Sequence, residues 1–170
     1  MNSFTMKYLS YEESWKKALF WLSRRSLSSL EVAQRLQRKG TKEEDINAIL
    51  DRLKELGYLN DQRFAYSFAR YRKDCSSYGS LRIQQELNRR GIASNIVERA
   101  IEETLSAEEE YERAKKVALS KLQELSKKEK SHKSARLGRH LQQKGFPLEL
   151  IYRLIEELKS EELLMNDQKT

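Results

Sequence analysis

A glycine phrase that returns three times limits the folds open to this chain. It reads RLQRKG at 35–40, LNRRG at 87–91 and LQQKG at 141–145. Four residues before each glycine stands a leucine: Leu36, Leu87 or Leu141. Eight before stands Val32, Ile83 or Leu137. Six after come Ile46, Val97 and Ile151, and nine and ten after come Ile49–Leu50, Ala100–Ile101 and Leu154–Ile155. These steps keep the helical period on both sides of the glycine. Glycine fits the left-handed residue just past a helix C-terminus. The phrase is therefore the joint of a repeated unit, spaced at 51 and 54 residues, slightly above the common helical-repeat lengths.

Each unit carries an earlier helix as well: Ala18, Leu19 and Leu22 in the first, Phe64, Ala65 and Phe68 in the second, and Ala114, Val117, Ala118 and Leu122 in the third. The expected fold is all-α, a tandem array of three three-helix repeats, elongated and curved. The expected boundaries are 12–58, 59–106 and 107–160, with a flexible tail at 161–170. Local punctuation agrees. Ser28 with Glu31, and Thr41 with Glu44, have the spacing of capping boxes. Gly57 closes one helix, Asn60 or Asp61 caps the next, and Pro147 stands near the first turn of the last. A lone unit buries seven or eight apolar side chains. At roughly 1.5–3 kcal/mol each, these struggle against about 1–2 kcal/mol of backbone entropy per ordered residue. Neighbouring units must share their cores, as stacked repeats do.

Composition excludes several classes. One proline and six glycines leave little turn chemistry for an all-β fold. No apolar run approaches the length of a membrane span, and the opening MNSFTMKYLSYEE lacks the pattern of a signal peptide. Cys75 stands alone, so it forms no internal disulfide, and the expected address is cytoplasmic. The glycines are isolated joints and make no phosphate loop. His132 and His140 lack ligand spacing, and the Glu108–Glu110 run reads as a solvated helix start. No enzyme, metal or cofactor is expected.

Charge makes up 35% of the residues and the net is +7. Residues 101–112 hold six glutamates and no Lys or Arg, while residues 113–145 hold 11 Lys/Arg against 2 acids. Alternating blocks usually make solvated faces, and the last block also fits a polyanion. Lys39, Arg90 and Lys144 precede the joint glycines, where the helix dipole favours cations. Arg82 and Arg136 stand nine residues before a joint glycine, at a helix start, where the dipole disfavours them. The expected binding set is Arg70, Arg72, Lys73, Arg82, Arg89, Arg90, Arg136, Arg139 and Lys144. Tyr66, Tyr71 and Tyr78 are interleaved with this charge, and Trp15 and Trp21 are expected to pack the first unit.

The ordered motifs LSRRSLSSLEVAQRLQRKG, ILDRLKELGYLNDQRFA and LRIQQELNRRGI, with KGF in the third unit, resemble the RecX family of bacterial regulators of the RecA recombinase. The resemblance covers roughly residues 15–158. It implies a tandem three-helix fold that lies in the groove of the RecA–DNA filament. There it restrains ATP hydrolysis, strand exchange and coprotease activity while hydrolysing nothing itself. The implied partners are the RecA filament and single-stranded DNA, with no membrane and a monomeric chain. One departure precedes Gly79, where Ser76, Ser77 and Tyr78 stand in place of basic residues. Two other classes remain open: a nucleic-acid-binding helical protein without a recombinase partner, and a helical scaffold for protein partners.

Overall fold

The computed structural model describes residues 8–126 and 133–167, with the backbone alone for Ser126 and 161–167. Among the described residues there are nine helices. They are α1 (Tyr11–Arg24), α2 (Ser29–Arg38), α3 (Glu43–Glu55), α4 (Asp61–Cys75), α5 (Ser80–Arg89), α6 (Ser94–Thr104), α7 (Ala107–Ser126), α8 (Lys133–Lys144) and α9 (Leu148–Asp167). The fold is all-α, built from three three-helix repeats, as the periodicity implies. An isolated β-bridge joins Leu9 to Thr41. The final helix runs to Asp167, where a tail from 161 was expected; the run EELLM consists of strong helix formers.

The glycine joints are closed in one way. Gly40, Gly57, Gly91 and Gly145 all have positive φ, between 73° and 83°. At each, the glycine N–H bonds the carbonyl three residues back, and the next N–H bonds the carbonyl five back: Gly40 to Gln37 with Thr41 to Leu36, Gly91 to Asn88 with Ile92 to Leu87, Gly145 to Gln142 with Phe146 to Leu141. This Schellman pattern satisfies carbonyls that a helix end otherwise leaves open. It also overturns one expected capping box. Thr41 belongs to the end of α2 and is buried, with its hydroxyl 2.8 Å from that of Ser14. The N-cap of α3 is Lys42, which makes no side-chain cap. The Ser28–Glu31 box is present, and a second box, Ser10 with Glu13, opens α1. Asn60 caps α4 by accepting the Arg63 N–H at 2.8 Å.

By packing, the chain divides into two compact units that do not follow the repeats. The first comprises the chain up to Ser67 together with Leu87–Val97. Its core gathers Ala18, Val32, Leu36, Ile49 and Leu53, with Trp15 and Trp21 packed against it. The second comprises Phe68–Glu86 and the chain from Glu98 onward. Its core gathers Ala118, Leu137, Leu141, Phe146, Ile151 and Leu154.

The middle repeat is divided because each of its ends is docked differently. In the first unit the start of α2 meets the joint at Gly91. The Ser28 hydroxyl donates to the Arg90 carbonyl at 2.6 Å, and the Ser29 N–H donates to the Asp61 carboxylate at 2.8 Å. In the second unit the start of α5 meets the joint at Gly145. Gly79 N–H donates to the Lys144 carbonyl at 2.9 Å, Leu81 N–H to the Gly145 carbonyl at 3.1 Å, and Ser80 N–H to the Glu110 carboxylate at 2.6 Å. Ser29 and Ser80 hold the same place in their repeats, eleven residues before the joint glycine. In both cases a helix start is capped by a carboxylate from the first turn of the following repeat and by that repeat's own joint.

Two glycines separate backbone strain from packing. A Cβ on Gly57 would meet nothing within 4 Å, so Gly57→Ala should cost only the left-handed penalty, about 1–2 kcal/mol. A Cβ on Gly91 would lie 2.7 Å from the Leu30 Cβ, adding overpacking of about 1–3 kcal/mol. Urea melts should therefore show Gly91→Ala as the more damaging of the two. Equal losses would mean that the docked joint has room to spare.

Candidate functional site

The nine basic residues expected to bind a polyanion fall into two groups. Five make the ion pairs, carbonyl bonds or ring contacts that follow. Arg72 pairs with Glu86 at 2.7 Å, Lys73 with Glu109 at 3.1 Å, and Arg90 with Glu31 at 2.5 Å. Arg82 lies 3.7 Å from Glu86 and donates to the Gln143 carbonyl at 3.2 Å. Lys144 sits 5.7 Å from the Tyr78 ring centroid. Arg70, Arg89, Arg136 and Arg139 are exposed, and no carboxylate among the described residues pairs with Arg70, Arg89 or Arg139.

Tyr78 is the centre around which the second unit's cations assemble. Arg82 stacks over its ring at 4.2 Å, and Arg72 and Lys144 lie at 5.7 Å. A cation near a ring face gains roughly 0.5–1 kcal/mol at exposed sites and more when desolvated. The Arg113 guanidinium donates to the Tyr78 carbonyl at 3.3 Å, so α7 holds the same loop from the other side. The aromatic residue before Gly79 thus organises charge contributed by α4, α5 and α8. The placement of Arg82 has a structural cause. It begins its own helix, where the dipole opposes it, yet its guanidinium reaches the C-terminal end of α8, where a cation is favoured.

Beside this loop lies a cleft of about 530 Å³, lined by Lys73, Arg113, Lys116, Lys121, His140 and Lys144 among others. Burial holds the Arg113 pKa below its ordinary value. Burial first, and then the charges of Lys121 and Lys144, push His140 downward, while Glu124 opposes them. His132 lies outside the described residues, and Cys75 is an exposed free thiol. Among the described residues no three His, Cys, Asp or Glu side chains gather to hold a metal ion, and no helix is long and apolar enough to cross a membrane.

Family models match the chain in three consecutive stretches. They are the RecX first three-helix domain over residues 15–53, the second over 60–101 and the third over 108–155. The chain belongs to the RecX family. It is 36% identical over 147 residues to the regulatory protein RecX of Pseudomonas syringae pv. tomato, covering 82% of this chain and 88% of that protein. It is 33% identical over 149 residues to RecX of Geobacillus sp. strain WCH70, covering 85% of this chain. The chain spans about half the length of some RecX relatives, 53% of the Geobacillus protein and 55% of the Oceanobacillus iheyensis one. The crystal structure of RecX from Lactobacillus salivarius superimposes with a TM-score of 0.79 at 26% identity, covering 88% of this chain and 96% of that one. The Pseudomonas, Geobacillus and Oceanobacillus relatives are named as regulatory proteins.

Sequence reasoning placed Asp61 only as a cap of its own helix and Glu110 in a solvated helix start, and missed that within this RecX fold they cap α2 and α5, with Glu110 buried. Both stand in the first turn of a helix, where an acid already has a local reason to be. Only the register of Ser29 and Ser80 signals their second use.

The two groups of cations separate in urea melts. Removing Arg72 or Arg90 takes the short ion pair from a shielded glutamate that keeps a second arginine at 3.7 or 3.9 Å, so each change to Gln should cost about 1 kcal/mol. Arg70→Gln and Arg89→Gln should stay within about 0.5 kcal/mol. A second measurement follows from His140. Its folded pKa is depressed, so the unfolded chain binds the extra proton. Stability from this group is present above the unfolded value near 6.5 and is lost as pH falls from there through the folded pKa. The pH dependence of melting below about 6.5 should weaken in His140→Gln. An unchanged profile would put the titrating group elsewhere.

Proposed function

We infer that this chain regulates the RecA recombinase, acting in the cytoplasm on RecA filaments formed on single-stranded DNA. It lies in the filament groove and restrains ATP hydrolysis, strand exchange and coprotease activity, and thereby recombinational repair and the SOS response. The observation that carries this reading is the match to all three RecX domains in order, across most of the chain. The chain acts by binding and hydrolyses nothing.

Physical features support it. Exposed arginines recur on all of α4, α5 and α8, the helices of the second and third repeats. Several weak ionic contacts distributed along one chain gain affinity through effective concentration, without any deep pocket. The internally paired cations hold the joints, and the exposed Arg70, Arg89 and Arg139, which no carboxylate among the described residues pairs, can reach phosphates or acidic side chains.

The test is the ATPase of a cognate RecA on single-stranded DNA. Sub-equivalent amounts of this chain should depress it, and the chain alone should leave ATP untouched. Normal hydrolysis and normal strand exchange at excess chain would overturn the reading. Arg136→Gln should flatten the dependence of log affinity on log salt by about one unit. An earlier melt with an unchanged salt slope would make this arginine structural.

A further inference from the structure

The first repeat carries a second kind of charged surface. At the end of α2, Arg35, Arg38 and Lys39 line a groove of about 420 Å³ with Trp21 of α1. The Arg35 guanidinium lies 5.7 Å from the Trp21 ring centroid. Trp21 is half-buried, packed against the core of the first unit while it also lines the groove. Arg38 and Lys39 are exposed, and no carboxylate among the described residues pairs with any of the three cations.

Helix stability does not account for so much charge. The C-terminal end of a helix carries the equivalent of roughly half a negative charge. Three cations within five residues exceed it several-fold. The joint at Gly91 shows the contrast: there Arg90 answers Glu31. At α2 the excess is left facing an aromatic ring. Unpaired cations are the ones that gain by displacing counterions from phosphates, and flat indole and guanidinium groups accept a stacked base. An acidic peptide would satisfy the cations and make no use of the planes.

We propose that the Trp21–Arg35–Arg38–Lys39 groove is a binding site for single-stranded nucleic acid, with a base against Trp21 and the backbone phosphates on the three cations. The proposal rests on the reading that this chain works on DNA-bearing filaments, and places one DNA contact in the first repeat. It is tested without RecA.

Trp15→Phe leaves Trp21 as the one tryptophan, since the chain has two. Titrating that variant with an oligothymidylate of about 15 nucleotides, a length within the site sizes of single-strand binders, should quench the Trp21 emission. In the same background Arg35→Gln, Arg38→Gln and Lys39→Gln combined should weaken binding and flatten the salt slope by about two units. With Trp15 retained, Trp21→Leu should weaken binding about 5- to 150-fold, the loss of one stacked base, read by anisotropy of a labelled oligonucleotide. If Trp21→Leu fails to fold, the three surface substitutions and the quenching still decide. No change in emission, equal quenching by polyglutamate, or an unchanged salt slope in the triple variant would each overturn the proposal. None of these results touches the RecA reading, which stands or falls on the ATPase.

Discussion

The capped start of the second helix in a repeat is the constraint on which the rest depends. A helix start exposes N–H groups and a helix end exposes carbonyls, and burying either without a partner costs about 1–3 kcal/mol each. In this chain the two shortages cancel at the joints. The α5 start takes acceptors for its N–H groups from Lys144 and Gly145, while at α2 the Ser29 N–H takes the Asp61 carboxylate and the Ser28 hydroxyl takes the Arg90 carbonyl. Close backbone approach is required for that exchange. A Cβ on Gly79 would lie 2.3 Å from the Gly145 carbonyl oxygen, and one on Gly145 would lie 2.5 Å from the Arg82 nitrogen. Gly145 is therefore glycine for two reasons, its left-handed φ and its neighbour, whereas Gly79 is glycine for the neighbour alone.

That constraint also explains why packing and repeat boundaries disagree. A repeat defined by sequence begins with its own first helix. A compact unit gathers a helix start with the joint that caps it. Residues of α5 up to Glu86 accordingly group with the third repeat, while Leu87–Val97, which hold the Gly91 joint, group with the first. Stability in stacked repeats is a sum of intrinsic and nearest-neighbour terms, and here the neighbour term includes hydrogen bonds as well as apolar contact.

Much of this was legible in the sequence, for a definite reason. The apolar stripe and the glycine joint are local signals, set by a period of 3.6 residues and by one dihedral angle. Leu36, Leu87 and Leu141 are fully buried as their spacing requires. Thr41 with Glu44 was misread because a serine or threonine three residues before a glutamate carries the same signature whether or not its hydroxyl is committed elsewhere. The Ser14 hydroxyl, 27 residues away, takes it. The capping roles of Asp61 and Glu110 were hidden in the same way, since their partners lie 32 and 30 residues distant.

The arginines show how far a local rule reaches. A cation at a helix start is unfavourable if the helix is considered alone, which made Arg82 look reserved for an outside anion. At the joint the field changes sign, because the neighbouring helix ends there. Arg82 lies within reach of the Gln143 carbonyl, the Glu86 carboxylate and the Tyr78 ring, so its charge is balanced inside the fold. The sign of the local field follows from which helix end lies nearest in space, and sequence position supplies only half of that information. Surface charge in such a chain is available to a partner where no joint claims it. By that criterion the end of α2, where the Gly40 carbonyl is met by the N–H of Leu9, leaves its cations with only the Trp21 ring and the Gln34 carbonyl of their own unit, and with no carboxylate among the described residues.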